Sequence, residues 1–388
     1  MEQLTTPLVE QGATRGASLK RAKELDGLRG IAALTVVFWH FFSLFPANAW
    51  TMIWKLSPLY VLIAGREAVV VFFVLSGFAL QRMYLKSKEA GYAAFALRRT
   101  MRIYGPYFGA LALAIAADYA LSKGYRAHFS PWFNRTWTLP IHSSDVWSHV
   151  AFLGVYNSTI FNTAFWSLVH EMRISLLFPL LYLIVAAKGA LRQIAVAISL
   201  LFAGSVAAAT FASNTDFGDS VHFSALFVAG IFIAERKKEL ANRYRFLTRP
   251  QRILIATVVV MLFCYGRLLA HLLPASYSSL IDLPIGLGAS GLVILAFSSP
   301  LSAACLTSKS VAWLGDISYS LYLIHGTILF ALVNLLNPER PMLWLLCLYV
   351  PLTLLVASAF HAAVEKPLLF QSRKITATEE QHGWQSTI

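Results

Sequence analysis

Charge is scarce in this chain. Of 388 residues only 13% are Asp, Glu, Lys or Arg, about half the share usual in a soluble domain, while 57% are hydrophobic. That deficit, with a mean hydropathy of +0.61 over the whole length, excludes an ordinary globular enzyme carried on one anchor. Cysteine is scarcer still. The three present, Cys264, Cys305 and Cys347, form no C-x-x-C pair, so neither a disulfide framework nor a zinc site is implied. A cleavable signal peptide is not expected, because roughly twenty-five polar residues precede the first apolar run and no small-residue cleavage site follows it. Acidic residues number 19 against 32 Lys and Arg, a formal charge of +13. Such an excess can mark nucleic-acid binding, but its placement along the chain points elsewhere.

What the chain has in quantity is long apolar runs. A bilayer core takes about 20 apolar residues per helix. That ruler predicts spans near 27–46, 66–84, 103–122, 166–187, 193–212, 221–235, 252–272, 279–299, 311–335 and 342–365. The span at 221–235 is short, and 146–160 is an ambiguous half-length segment. With the N-terminus inside, only six Lys and Arg fall in outside loops and three (Arg29, Arg173, Arg267) fall within spans, which leaves 23 of the 32 inside. The positive-inside rule accounts for that split. The basic excess is topology, and no nucleic-acid partner is expected. The sequence therefore predicts an all-α polytopic membrane bundle of about ten helices with both termini cytoplasmic. Residues 1–24 form a tail, 25–370 the transmembrane domain and 371–388 a second tail. The longest outside segment, 123–165, is rich in Trp, His, Ser and Asn, which suits a folded cap, a carbohydrate-contacting surface or an interfacial aromatic belt.

Ionisable side chains inside spans are costly and are usually functional. The first span, LDGLRGIAALTVVFWHFF, carries Asp26 and Arg29 at its start and His40 eleven residues after Arg29. Eleven residues at ~100° each return to within about 20° of the same face, with ~16 Å of rise. Arg29 at the entrance and His40 at mid-depth would suit an anionic ligand entering from the cytoplasm. Alternatively Arg29 reaches lipid phosphates, His40 caps a carbonyl, and Asp26 pairs locally with Arg29.

Six stretches, in order, resemble the acyltransferase-3 family of integral membrane O-acyltransferases. Leu25 to His40 is similar to its opening signature, in which an Arg and a His lie ten residues apart; here the spacing is eleven. VVVFFVLSGFAL with Ser76 and Gly77, RRTMRIYGPY with Arg99 and Arg102, FWSLVHE ending on Glu171, LGDISYSLYLIH ending on His325, and VEKP complete the set. The resemblance covers roughly residues 24 to 370. It implies transfer of an acyl group, commonly acetyl, from coenzyme A on the cytoplasmic side to a hydroxyl of a sugar, glycolipid, polysaccharide precursor or small molecule. Gly218-Asp219-Ser220 is similar to the nucleophile block of the SGNH esterase domains fused to some relatives, but it is expected in a short loop with no domain around it. A stand-alone form in a bacterial inner membrane is the expectation.

The chemistry assigns roles. Acyl transfer from a thioester needs a base for the acceptor hydroxyl, donors for the oxyanion and a cradle for the donor's phosphates. His40 is the candidate base, since imidazole titrates near neutral pH, with Asp26 and Glu171 as orienting groups. Glu171 is expected in the outer half of its span, near acceptor hydroxyls or helping His40. Arg98, Arg99 and Arg102, with Arg29, are the candidate acyl-coenzyme A site at the cytoplasmic mouth, because guanidinium forks bind phosphate bidentately; plain positive-inside anchoring is the alternative. Ser76, Trp166, Ser318, Tyr319 and His325 are candidates for the pocket wall. No metal or resident cofactor is expected, only acetyl-coenzyme A as donor. A hydroxyl-bearing glycan or glycolipid and the bilayer are the expected partners, and oligomerisation or a polysaccharide-synthesis complex stays open. Two other classes also fit the pattern: a proton-coupled transporter, although no repeat relates the two halves, and a noncatalytic partner in glycan export.

Overall fold

The computed structural model describes residues 22–87, 91–186, 189–208, 215–268 and 282–372. Arg15, Lys20, Arg21, Lys88, Lys188, Arg373 and Lys374 of the charge count lie outside these, as do most of both expected tails. Among the described residues there is no strand, and each of the ten predicted spans falls on a helix. These helices are α1 (Lys23–Phe42), α3 (Gly65–Ser87), α4 (Gly91–Leu121), α6 (Phe165–Val185), α7 (Ala190–Ala208), α8 (Phe217–Glu235), α10 (Arg249–Tyr265), α11 (Asp282–Ser298), α13 (Lys309–Leu336) and α14 (Leu345–Phe360). Short helices fill the connections: α2 (Ala49–Leu56), α5 (Ser143–Ala151), α9 (Lys237–Arg245) and α12 (Pro300–Leu306).

Eight of the helices are long and apolar enough to cross a membrane, and a ninth crossing is the pair α11 and α12, bent by 90° where Pro300 follows Ser299. The remaining one, α4, is diluted by Arg98, Arg99, Arg102, Pro106 and Asp118. Helix direction decides its status. Gly77 meets Phe227, Phe73 stacks on Phe223 and Gly230 meets Phe78, so α3 and α8 run parallel. Parallel neighbours need an odd number of crossings between them, and α6 and α7 supply two; α4 makes the third. Contacts of Gly27 with Val311, Gly30 with Gly315 and His40 with His325 make α1 and α13 parallel too, which requires α11 among the seven crossings between them.

Burial sorts the bundle into centre and rim. The apolar window of α13 is 72% buried and that of α3 67%, against 17% for α7 and 22% for α10 and α14. The rim helices present Leu, Ile and Phe outward, as a lipid-facing surface must, whereas the central helices bury most of their surface, polar side chains included. With lipid outside, apolar area adds little to association, so the helices must pack closely, and small residues let them. A Cβ on Gly30 would lie 2.5 Å from the backbone nitrogen of Gly315, and one on Gly77 2.2 Å from the Phe227 carbonyl oxygen.

Two expectations are corrected. Gly218-Asp219-Ser220 is not in a loop: Asp216 caps α8 by accepting from the Asp219 amide at 2.8 Å, and the helix starts four residues before the predicted span. The segment 146–160 is not one continuous helix: α5 takes its first part, within a folded cap. In that cap Phe129, Phe133, Trp137, Phe152 and Phe161 are buried, and the Trp137 indole donates to the Phe161 carbonyl at 3.0 Å. Burial also pushes the His149 imidazole below its ordinary value. The cap is pinned to the bundle where Ser130 donates to the Ser43 carbonyl and Arg126 to the Pro338 carbonyl at 2.6 Å.

Gly30→Val is expected to destabilise the protein by about 1–3 kcal/mol through overpacking. Gly154→Ala, where an added Cβ meets nothing within 4 Å, should change stability by no more than ~0.5 kcal/mol. Thermal unfolding in detergent checks both.

Candidate functional site

A cavity of about 1420 Å³ opens among α1, α3, α4, α6, α13 and the turn after α14. Each wall places a polar side chain inward because its opposite face is needed for packing. From α1 come Asp26 and Arg29, from α3 Ser76 and Arg82, from α4 Arg99 and Arg102, and from α6 Ser167 and Glu171. From α13 come Asp316, Ser318, Tyr319 and Tyr322, at the spacings that keep one helical stripe.

Arg99 and Glu171 are the cavity's central ion pair. The guanidinium Nη2 donates to Glu171 Oε1 at 3.0 Å and to Ser175 Oγ at 2.8 Å, and Ser76 Oγ donates to the same Glu171 oxygen at 3.0 Å. Arg99 is 4% exposed. The sequence suggested a phosphate fork at the mouth; in the structure Arg99 is a buried group on the cavity wall, engaged by a carboxylate. Glu171 lines this cavity, whose wall mixes cations with the carboxylates Asp26, Asp316 and Glu365. Arg102, one turn on, lines the cavity with Arg29, and among the described residues Arg102 forms no salt bridge. Arg98 lies about 100° round the helix from Arg99 and is not on the cavity wall.

Arg29 and His40 do share a face of α1, but that face is closed. Ala33, Val36 and Val37 between them are at most 2% exposed, because the contact with α13 runs along them. His40 consequently does not line the cavity. It meets His325 nitrogen to nitrogen, Nδ1 to Nε2, with ring centroids 4.6 Å apart and planes within 10°, a nearly coplanar edge-to-edge pair. The His325 Nδ1 faces the Leu321 carbonyl at 3.1 Å, which can only accept, so that nitrogen carries the hydrogen. His325 Nε2 is then an acceptor, His40 Nδ1 donates to it, and His40 Nε2 is left with a lone pair. Trp132 of the cap stacks over His40 at 5.0 Å and Trp39 flanks it at 4.6 Å. The pair is buried beneath aromatic rings.

The other wall candidates divide. Ser318 donates to the Gly315 carbonyl of its own helix at 2.8 Å, and Tyr319 donates to the Ile103 carbonyl of α4 at 2.7 Å, both on the cavity. Trp166 is off it, edge-on to His170 at 6.0 Å. Arg173, named only as a cation within a span, is a clamp. It donates to the Leu153, Gly154, Thr215 and Asp216 carbonyls and to Ser220 Oγ, tying the cap to the start of α8. Arg267, which had no motif support, pairs with buried Glu67 at 3.2 Å.

Sequence reasoning missed a dyad. His361 and Glu365 sit on a π-helical turn that follows α14 and lines the cavity; Nδ1 of His361 lies 2.9 Å from Glu365 Oε2, which also accepts from Ser320 at 2.5 Å. Such turns are frequent at functional sites. The i,i+4 spacing of His and Glu just before a Pro was the available signal.

A family model described as an acyltransferase domain matches residues 22–362. The chain belongs to the acyltransferase-3 family. No curated protein and no solved structure matches it. As a membrane acyltransferase, the protein builds its histidine pair from α1 and α13, two of the helices that also line the cavity.

Removing one member of a buried ion pair strands the other. Glu171→Ala is therefore expected to cost about 3 kcal/mol of stability, and Arg99→Ala with Glu171→Ala together less than the two single losses added. Thermal unfolding of the single and double variants gives the coupling, and strict additivity would show that the two side chains do not act as a pair.

Proposed function

We propose that this acyltransferase moves an acyl group, acetyl by preference, from cytoplasmic acyl-coenzyme A to a hydroxyl of a sugar, glycolipid or polysaccharide precursor. It would do so in a bacterial inner membrane with His40 as general base. The observation that carries the reading is the pairing of His40 with His325. A neutral imidazole whose Nδ1 proton is committed to a partner has its Nε2 lone pair fixed in direction, which is what a base must offer an approaching hydroxyl. His325 acts on the reaction through His40 and is a positioning residue. Arg29, Arg82 and Arg102, with Lys366, line the cavity alongside Asp26, Asp316 and Glu365, and are the cations that a pyrophosphate would meet there. The positive-inside count assigns that end to the cytoplasm, where acyl-coenzyme A resides.

In the reaction the acceptor oxygen attacks the thioester carbon while its proton passes to His40 Nε2. The tetrahedral intermediate then expels the thiolate, which takes the proton back from His40. The acceptor reaches the pair from the cap side, past Trp132. Asp26 lines the cavity with Arg29, so its place in this scheme is among the cavity's charged groups rather than beside His40.

His40→Ala in nanodiscs should lower transfer of labelled acetyl from acetyl-coenzyme A to a cell-envelope glycan fraction by about 10²–10⁴-fold. Coenzyme A binding by calorimetry should stay near the wild-type value. Arg102→Ala should do the reverse, weakening coenzyme A binding about tenfold or more with a smaller effect on turnover at saturation. Full transfer by a folded His40→Ala protein would remove the base assignment. A well-folded wild type that neither binds coenzyme A nor turns over acetyl-coenzyme A would favour a proton-coupled carrier.

A further inference from the structure

The cavity and the histidine pair are separated by one layer of side chains, and that layer carries two hydroxyls. Ser167 of α6 and Tyr322 of α13 both line the cavity, each 5% exposed, with Oγ and Oη 2.6 Å apart. Along α13 the wall runs from Asp316 to Tyr322, six residues or about 9 Å. One turn beyond Tyr322 stands His325, its ring 5.8 Å away, and His325 holds His40. Phe72 braces the phenol ring edge-on at 5.4 Å. A donor anchored by its phosphates at Arg29 and Arg102 would bring its far end, the thioester, to these hydroxyls.

We propose that Tyr322 and Ser167 form the oxyanion site of the transfer, a reading that rests on the acyl-coenzyme A function above. Within a hydroxyl pair one member donates to the other. If Ser167 donates to the phenol oxygen, the phenolic hydrogen is left to turn into the cavity. When the acceptor oxygen bonds to the thioester carbon, the carbonyl π pair moves onto oxygen, and Tyr322 donates to that oxygen while Ser167 supports it by donating to the phenol oxygen. When the C–S bond breaks, the pair on oxygen re-forms the carbonyl and the sulfur leaves as thiolate. Neither hydroxyl changes its proton count. Fixed donors in a water-poor site gain most where charge develops, so the contribution belongs to the transition state rather than to donor binding.

The competing account is a clasp between α6 and α13 with no part in chemistry, and the two differ in what they move. Tyr322→Phe keeps the ring against Phe72 and His325 and removes only the hydroxyl. In wild-type-like nanodiscs, with acetyl-coenzyme A and the cell-envelope glycan fraction, kcat is expected to fall by about 10²–10³-fold. Affinity for coenzyme A should stay within about threefold, as expected of an interaction made only in the transition state. Ser167→Ala, which leaves the phenol in place, should lose at least about tenfold in kcat. It decides the matter if Tyr322→Phe lowers the unfolding temperature. Near-wild-type kcat in both variants, or losses that track thermal stability alone, would reduce the pair to a clasp while leaving the acyltransferase reading intact. A wild type with no turnover would overturn that reading and this assignment together.

Discussion

Everything in the site depends on the register of α1 against α13. The two helices run parallel with one constant offset: Gly30 faces Gly315, and ten residues further His40 faces His325. Ten residues of helix span about 15 Å, so a single rigid alignment sets a backbone contact at one level and a hydrogen bond at another. The glycines permit the axes to approach until no Cβ would fit between them. A slip of one turn, ~5.4 Å, would take His40 off its partner. The same tight seam shuts the α1 face that joins Arg29 to His40. The cavity is displaced to the flank, where α3, α4 and α6 complete it, and Tyr322 on its wall lies 5.8 Å, ring to ring, from His325.

Much of the bundle was legible in the sequence because a bilayer imposes one length and one polarity on every crossing. The ten apolar runs are ten helices, and even α4, weakened by three arginines and a proline, is a crossing by the direction of its neighbours. What the hydropathy ruler could not see was capping. Asp216 adds a turn to α8 and turns a triplet that resembled a loop motif into helix. The site was half legible. Helical periodicity put Arg29 and His40 on one face, correctly, but periodicity says nothing about what packs on that face. Ala33, Val36 and Val37 are small and apolar because α13 lies there, and no count of residues along α1 alone reveals it. Likewise Arg99 reads as a free cation until Glu171, 72 residues away, is seen beside it.

The apolar setting explains why so many polar groups are engaged by one another. A charge that leaves water must be compensated nearby. Arg99 is held by Glu171, Arg173 by four backbone carbonyls and a serine, Arg267 by Glu67, and His222 by Asp282 at 3.1 Å. These contacts are also cross-links between helices that hydrophobic burial alone would not order, since lipid is as apolar as leucine. Arg173 is the clearest case: one side chain joins the cap, α6 and α8. A cation within a span can thus be scaffold, and only its partners distinguish that duty from ligand binding.

His40 is held by a second histidine rather than by a carboxylate, and the surroundings account for the choice. Elsewhere the chain does use carboxylates to hold imidazoles, at His222 with Asp282 and at His361 with Glu365. Asp282 lies within reach of the Arg66 and Arg267 charges, and Glu365 borders an open cavity that Arg102 and Lys366 also line. His40 instead sits under Trp132, beside Trp39, with Tyr349 donating to the His325 carbonyl beneath. A carboxylate in that aromatic enclosure would be an ion without a counter-charge, at a cost of several kcal/mol. A neutral imidazole fixes the tautomer of its neighbour through one hydrogen bond and brings no charge to bury. It orients the base as firmly and leaves the enclosure neutral in the resting state. On the proposed reaction, charge then develops there only while the acceptor's proton rests on His40, and it disappears when the thiolate departs.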